Sequence, residues 1–216
     1  NFEFVLKKVM EVKGVKAAAP FILNQVMLTF GDNSSGVVVR GVDPSREAMV
    51  SDLAKNMVRG ELDVLRKNKN VTSGPHREKI ILGNELARKL GVQMDDTVSM
   101  VAPASHLTPM GLVPKIKLYK VVGLFESGMF EYDSSLAFVS IQSAQKFFSM
   151  KEKVSGIEIR VDDIDRADKI AESLQGNLGF PYYARDWMRM NKNLFSALRL
   201  EKIVMFIILI LIILVA

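Results

Sequence analysis

The sequence predicts an α+β fold, in which a discontinuous α+β subdomain carries a β-rich inserted subdomain and is followed by a long helix that enters a membrane. Short β-branched segments separated by turns fill the middle of the chain, whereas both ends mix helical and strand patterns. Residues 203–216 are all apolar. We therefore expect three parts: residues 1–45 with 154–184, residues 46–153, and residues 185–216.

The first part begins with an amphipathic pattern. Apolar residues recur at helical spacing over residues 1–13, and a glycine follows. Residues 16–30 and 36–42 are rich in strand-forming residues and are joined by a turn of small polar residues, which predicts a hairpin. A helix over residues 44–60, opened by a proline and closed by a glycine, is expected next.

The middle of the chain alternates predicted strands with short helices. We expect strands at residues 78–83, 96–103, 115–125 and 135–141, and helices at residues 84–91 and 142–150. The pattern then returns to the discontinuous subdomain, with a strand expected at residues 156–163 and a helix at residues 165–178. Residues 180–186 are expected to form a strand or an extended segment that leads into the final helix.

The apolar run at residues 203–216 predicts a transmembrane segment. It covers roughly 21 Å at about 1.5 Å per residue, whereas the hydrocarbon core of a bilayer is about 30 Å thick. A buried core helix is the alternative, but such a helix usually keeps a polar face. We therefore expect an apolar continuation after Ala216 and, since neither an initiator methionine nor a signal peptide precedes the first helix, another span before Asn1.

The region before the apolar run predicts a basic stalk. No glycine or proline interrupts residues 182–216, so we expect one helix from an N-cap at Asp186, roughly 45 Å long. Its expected apolar stripe consists of Trp187, Met190, Leu194 and Leu198. Five basic residues stand against Asp186 and Glu201 here and carry +3 of the net charge of +5: Arg185, Arg189, Lys192, Arg199 and Lys202.

This charge distribution favours membrane lipid over nucleic acid as a partner. Anionic headgroups attract basic residues next to a span. The rest of the chain is nearly neutral, and the second basic stretch, residues 66–79, lacks the interleaved aromatic residues of many nucleic-acid sites and is interpreted as a solvated loop.

Catalytic and metal-binding patterns are missing from the sequence. With two histidines, His76 and His106, and no cysteine, a zinc site of ordinary composition is excluded. Residues 162–168 are acidic but lack the glycine and glutamate of an EF-hand loop. Phosphate-binding and nucleophile-elbow motifs are absent, and the adjacency of Ser105 and His106 does not make a catalytic pair. We therefore expect neither a cofactor nor a metal, and we do not expect an enzyme.

The unusual feature is the proline-rich, apolar segment at residues 103–114. Pro103, Pro109 and Pro114 each lack an N–H, so we expect them to prevent a regular ladder and to leave a projecting arm. Its apolar residues then suit a partner's groove. An arm that folds back over its own domain is the alternative.

Three stretches together resemble one family. They are "PASHLTPMGLVPKIKLYKVVGLF", "VSGIEIRVDD" and "NLFSALRLEKIVMFIILILIILVA", and they look like the permease subunits of the bacterial lipoprotein-releasing ABC transporter, the LolC/LolE family. The TPMG sequence points to the LolC-like branch or to a hybrid permease, because the LolE branch lacks this loop.

The resemblance implies a MacB-like periplasmic domain between the first and second spans of a four-span permease in the bacterial inner membrane. It also implies a hook that captures a LolA-type periplasmic carrier. The hook residues would be Pro103, Leu107, Thr108, Pro109, Met110, Gly111, Leu112, Val113 and Pro114, with Lys115 and Lys117 at its base. The family's polar pad at the hook base is only partly matched, because Ser99 and Ile116 occupy two of its positions.

The resemblance further implies the partners of a transporter. They would be a lipoprotein substrate, a second permease subunit or second copy, and a LolD-type cytoplasmic ATPase that supplies hydrolysis. Two alternatives are open at this point: a related drug, peptide or cell-division permease, and the extracellular sensor domain of a membrane receptor.

Overall fold

The computed structural model describes residues 2–66, 77–108 and 111–215, so most of the second basic stretch, with His76, lies outside the described residues. The chain divides into two compact units, Asn1–Met10 with Lys16–Arg160, and Glu11–Val15 with Val161–Ala216. These bounds differ from the three parts expected above, and that division stays a prediction.

The α+β class is confirmed by the mixture of helices and strands. The strands are β1 Val15–Phe30, β2 Asn33–Val42, β3 Met57–Arg59, β4 Glu78–Gly83, β5 Thr97–Thr108, β6 Gly111–Phe125, β7 Leu136–Ser140 and β8 Gly156–Val161. The helices are α1 Phe2–Met10, α2 Pro44–Val50, α3 Asn84–Leu90, α4 Phe130–Ser135, α5 Ile141–Phe147, α6 Ala167–Leu178, α7 Trp187–Met190 and α8 Lys192–Val215. Two short 3₁₀ turns span Leu62–Leu65 and Ile164–Arg166.

The strands form one sheet in the order β2-β7-β4-β6-β5-β1-β8, and β3 pairs with β6. Because β2 also pairs with β1, the strands β1, β2, β7, β4, β6 and β5 close into a ring. Alternate side chains of these strands point into its core, for example Leu28, Met100 and Tyr119, all fully buried. Helices α3 and α5 contribute further residues to this core.

Helix α2 is shorter than predicted. The expected helix over residues 44–60 ends at Val50, and the chain then turns into β3. The Ser51 hydroxyl donates to the carbonyl of Glu47 and accepts from the N–H of Leu53, so it offers the backbone an alternative to a further helical turn. Leu53 is buried beside Phe125, which the turn makes possible.

The predicted stalk helix is interrupted. Asp186 is the N-cap of α7, as predicted, and its carboxylate accepts from the N–H of Arg189 at 2.8 Å. However, α7 ends at Met190, and α8 begins after Asn191. The Asn191 side chain donates to the Trp187 carbonyl at 2.8 Å, a local bond that competes with regular helix geometry. The expectation of one continuous helix from Asp186 is therefore wrong at this residue.

The two stalk helices still touch across this break. The rings of Trp187 and Phe195 meet edge to face, with centroids 5.0 Å apart. The side chain of Leu194, part of the expected stripe, lies outside what the structure describes. Within residues 2–66, 77–108 and 111–215, no helix combines the length and the apolar character needed to cross a membrane.

Helix α2 contributes a buried carboxylate that lies next to an arginine of β2. Glu47 is 1 % exposed, and its Oε1 is 3.4 Å from Nη2 of Arg40, which also pairs with Glu158. Burial raises the pKa of Glu47 above its ordinary value of 4.5, Arg40 opposes this rise, and the charge of Glu158 adds to it. The ionised form of Glu47 is therefore less stable in the folded protein than in the unfolded chain.

We expect Glu47→Gln to change how stability depends on pH. The stability that neutral Glu47 contributes is fully present below pH 4.5 and is lost as the pH rises through the raised pKa, whereas glutamine has no such loss. The melting temperature of the variant relative to the wild type should therefore rise between pH 4.5 and pH 7.5. Circular dichroism melting checks this. The exposed Glu152→Gln is the matched control, and an equal rise in that variant would contradict the explanation.

Candidate partner-binding hairpin

The predicted hook is the distal part of the β5–β6 hairpin. Near the ring, β5 and β6 pair in register from Thr97↔Lys120 to Ala102↔Lys115. The pairing resumes at His106↔Val113 and continues to Thr108↔Gly111. The expectation that the prolines prevent a ladder is therefore wrong for the outer part of the arm, which is a two-stranded ribbon.

The two flanking prolines lie where the ladder breaks. Between Ala102 and His106 on one strand and Lys115 and Val113 on the other, the register shifts, so residues 103–105 stand opposite Pro114 alone. Neither Pro103 nor Pro114 has an N–H to donate, and a bulge is where a sheet tolerates proline. The prolines thus separate the outer ribbon from the ring.

The structure describes only part of the predicted hook. Pro109 and Met110, between the two strand ends, lie outside the described residues, and so do the side chains of residues 103–113. For Leu107, Thr108, Gly111, Leu112 and Val113 the backbone pairing is therefore the evidence. Six residues of strand extend roughly 20 Å at about 3.3 Å per residue, which gives the reach of the arm.

Lys115 fastens the base of the arm to helix α5. Its Nζ donates to the carbonyl of Lys146 at 3.1 Å and to Oγ of Ser149 at 3.3 Å, and it lies 5.6 Å from the ring centroid of Phe147. A cation at the carboxyl end of a helix satisfies carbonyls that have no partner within the helix. Lys115 is therefore a structural anchor of the arm.

Lys117 is also engaged within the fold. Its Nζ lies 3.2 Å from Oε1 of Glu78 and 5.7 Å from the ring centroid of Tyr119. Tyr119 is fully buried, its hydroxyl bonds with Ser143 at 3.0 Å, and burial raises the pKa of Tyr119 to about 12. The Lys117 side chain thus packs over the buried Tyr119 ring, and its charge is paired with Glu78.

The opposite face of the hairpin base is apolar. Ile116 is 61 % exposed, and β-pairing places it beside Val101, which in turn stands beside Met27, 48 % exposed. Leu118 extends this surface on the same face of β6. We call Met27, Val101, Ile116 and Leu118 the base row. Alternation along β6 could have indicated Ile116 and Leu118, but the contribution of Met27 depends on a pairing of distant segments.

Histidine and acidic residues are the remaining candidates for chemistry near the hairpin. His106 lies in β5, and its side chain is not described. Among the side chains that the structure describes, no group of three histidine, aspartate or glutamate residues could hold a metal ion. The arrangement is suited to binding a partner through backbone shape and apolar surface.

Comparison with known proteins shows the family to which the chain belongs. Residues 2–177 match the family model of the MacB-like periplasmic core domain. The lipoprotein-releasing system transmembrane protein LolC of Xylella fastidiosa (strain Temecula1) is 38 % identical over 199 residues, which are 92 % of this chain and 46 % of that protein. LolC of Neisseria meningitidis serogroup B is 36 % identical over 205 residues, 94 % of this chain and 48 % of that protein. The chain thus spans about half the length of these relatives.

Solved structures show the same fold at low identity. The extracellular domain of the noncanonic ABC-type transporter YknZ from Gram-positive bacteria has a TM-score of 0.53 at 15 % identity, covering 81 % of this chain and 82 % of that one. The periplasmic region of MacB from Actinobacillus actinomycetemcomitans has a TM-score of 0.50 at 11 % identity, covering 81 % and 72 %. By its family model and its LolC relatives, the chain belongs to the MacB-like periplasmic core domain family, in the branch of the LolC and LolE permease subunits.

Proposed function

We propose that this chain is the periplasmic part of an ABC transporter permease that extracts lipoproteins from the inner membrane and passes them to a LolA-type carrier held by the β5–β6 arm. The observation that carries the proposal is the arm itself, a two-stranded ribbon that continues past a proline-flanked bulge beyond the sheet. The open edges of a two-stranded ribbon are a feature by which proteins recognise partners.

The base of the arm supports this role. Lys115 ties the arm to α5, and Lys117 ties it to Glu78, so the ribbon starts from a fixed point on the ring. A preorganised binding element loses less conformational entropy when a partner binds. The base row adds exposed apolar surface next to the arm. The carrier could contact this surface while the arm is bound in the carrier's cavity.

Insertion of α8 into the inner membrane is the second part of the proposal. Every side chain from residue 203 to residue 215 is at least 46 % exposed, and all of them are apolar. Such a surface is stable in lipid, because exposure of each apolar side chain to water has an unfavourable free energy. Arg199 and Lys202 directly precede this run, where they would meet anionic headgroups.

The stalk would carry movement from the membrane to the periplasmic part. Hydrolysis of ATP in a separate LolD-type ATPase would shift the spans, and α8 with α7 would transmit the shift. The edge contact of Trp187 with Phe195 and the 3.0 Å pair between Arg189 and Glu172 couple α7 to α8 and to α6.

We expect two glycines inserted between Ser196 and Ala197 to uncouple lipoprotein release from ATP hydrolysis. Each glycine costs about 1 kcal/mol of helix stability and adds a flexible joint inside α8. Two alanines at the same site are the matched control, because they add the same length and rotation without the joint. Release per ATP hydrolysed, measured in the complete permease, should fall further for the glycine insertion than for the alanine insertion. Equal release by the two would show that stiffness at this point is dispensable.

Reconstitution tests the proposed function directly. The complete permease with its ATPase is placed in proteoliposomes with a fluorescent lipoprotein, and transfer to soluble carrier is followed with and without ATP. We expect release that requires both ATP and carrier. ATP-dependent release without carrier would favour a related exporter, and the absence of ATP-dependent release would refute the transport role.

A further inference from the structure

An exposed apolar cluster stands at the start of α4. Met129, Phe130 and Tyr132 are 52 %, 67 % and 53 % exposed, and we call these three residues the knob. Large apolar side chains scattered singly over a surface are ordinary, but three within four residues form a patch. Such a patch is a feature of surfaces that bind another protein.

The knob is held by a buried carboxylate. Asp133 is 3 % exposed, and its Oδ1 accepts from both the N–H and the Oγ of Ser127, each at 2.8 Å. The Ser127 Oγ in turn accepts from the N–H of Met129 at 3.2 Å. The apolar side chains are therefore presented by a fixed backbone, which lowers the entropic cost of binding.

An open pocket of about 470 Å³ lies on the same unit. Val58, Ala87 and Leu124 are apolar residues of its lining, and Arg59 is a charged one. Val58 is 54 % exposed. This volume falls within the range of about 300–1,000 Å³ that binding pockets usually have.

The start of helix α3 adjoins both the pocket and the segment that carries the knob. Its first residue, Asn84, lines the pocket and also donates to Glu126, which opens the segment leading to the knob. The preceding residue, Gly83, lies directly against the backbone of Asp133. The two features are therefore neighbours on one surface.

We propose that the knob of one chain binds in the pocket of a second copy of this chain. A knob and a pocket that lie side by side can be exchanged across a two-fold axis, so that each knob enters the partner's pocket. The charges are complementary, since Glu131 lies within the knob segment and Arg59 at the pocket. Among the residues that the structure describes, neither side chain has an ion pair. The inference rests on the proposed function of a transporter permease and deepens it, by assigning the surface through which a second copy of the chain would bind.

Disulfide trapping tests the interface, because these 216 residues contain no cysteine that would give a background. Phe130→Cys and Val58→Cys are made in separate, differently tagged copies of the whole chain, mixed in detergent micelles and oxidised. A disulfide needs Cα atoms about 4.4–6.8 Å apart, so only a close contact is trapped. We expect the mixed dimer at a yield at least tenfold above that of Phe130→Cys with Met49→Cys, a methionine 54 % exposed on the same unit.

A charge exchange provides the second readout. Glu131→Arg in both copies should reduce the trapped dimer, and Arg59→Glu added to the same chains should restore it. Yields equal to the Met49→Cys control, or a reduction that Arg59→Glu does not reverse, would overturn the proposal. A cross-link from Phe130→Cys to a different permease subunit in cells, without one to a second copy, would also overturn it. The cross-linking experiment does not measure lipoprotein transfer. A negative cross-linking result would therefore refute this interface but not the proposed transport function.

Discussion

Gly83→Ala is expected to destabilise the fold by about 3 kcal/mol, because the added methyl group would overlap with the backbone of a neighbouring helix. A Cβ at Gly83 would lie 2.1 Å from the carbonyl oxygen of Asp133 and 2.8 Å from its Cα. Real Cβ atoms do not approach backbone atoms so closely, so β4 and α4 would have to separate. Urea unfolding of the wild type and the variant, followed by circular dichroism, measures the loss.

The control for this prediction is Gly36→Ala, in strand β2. A Cβ there would meet nothing within 4 Å, so we expect stability to stay the same or to rise by up to about 1 kcal/mol. Gly83 has φ −63°, which any residue can adopt, so backbone strain does not add to the effect. A loss in Gly83→Ala no larger than in Gly36→Ala would show that α4 is free to move away. It would also remove the argument that the knob is rigidly held.

Local signals in the sequence predicted most elements of the fold. Alternation and turn residues predicted β1 and β2, and apolar periodicity with a glycine predicted α3, whose C-cap Gly91 has φ +73°. Asp186 was predicted as an N-cap because a short acidic side chain before an amphipathic run can accept a backbone N–H. Each of these elements is set by residues close together in the chain.

Long-range pairing explains what the sequence did not predict. The parallel pairing of β2 with β7 and the second pairing of β1 with β5 close the ring, and both join segments about 70–100 residues apart. No single stretch of sequence carries that information. The early end of α2 has a similar cause, since Leu53 is drawn into a cluster with Phe125 and Phe138.

At the candidate site, too, local sequence predicted some features, and others depend on pairing between distant segments. Three prolines within twelve residues predicted the arm, but the register that places residues 103–105 opposite Pro114 comes from the pairing of β5 with β6. The two lysines, Lys115 and Lys117, were expected at the base of the hook. Their engagement with α5 and with Glu78 depends on elements that adjoin the hairpin only in the folded chain.

Met110→Glu is expected to abolish capture of the carrier while leaving stability almost unchanged. In the proposed function, Met110 enters the carrier; in the sequence it lies between Thr108 and Gly111, which pair with each other. Burying Met110 and two apolar neighbours would contribute about 1.5–3 kcal/mol each, roughly 5–9 kcal/mol in all, and the entropy of association would offset several of these. The resulting complex is weak and reversible, as suits a carrier that must leave with its cargo.

A carboxylate in place of Met110 would have to enter an apolar groove without a partner, and its desolvation cost exceeds the small surplus that holds the complex. Pull-down of purified carrier by the chain in detergent measures capture, with circular dichroism melting as the control for folding. Met49→Glu, an exposed methionine on the ring-forming unit, should capture carrier normally. Normal capture by Met110→Glu would refute the hook. A fall of many degrees in its melting temperature would instead place this methionine in the core, because a residue beyond the ring contributes little to the free energy of unfolding.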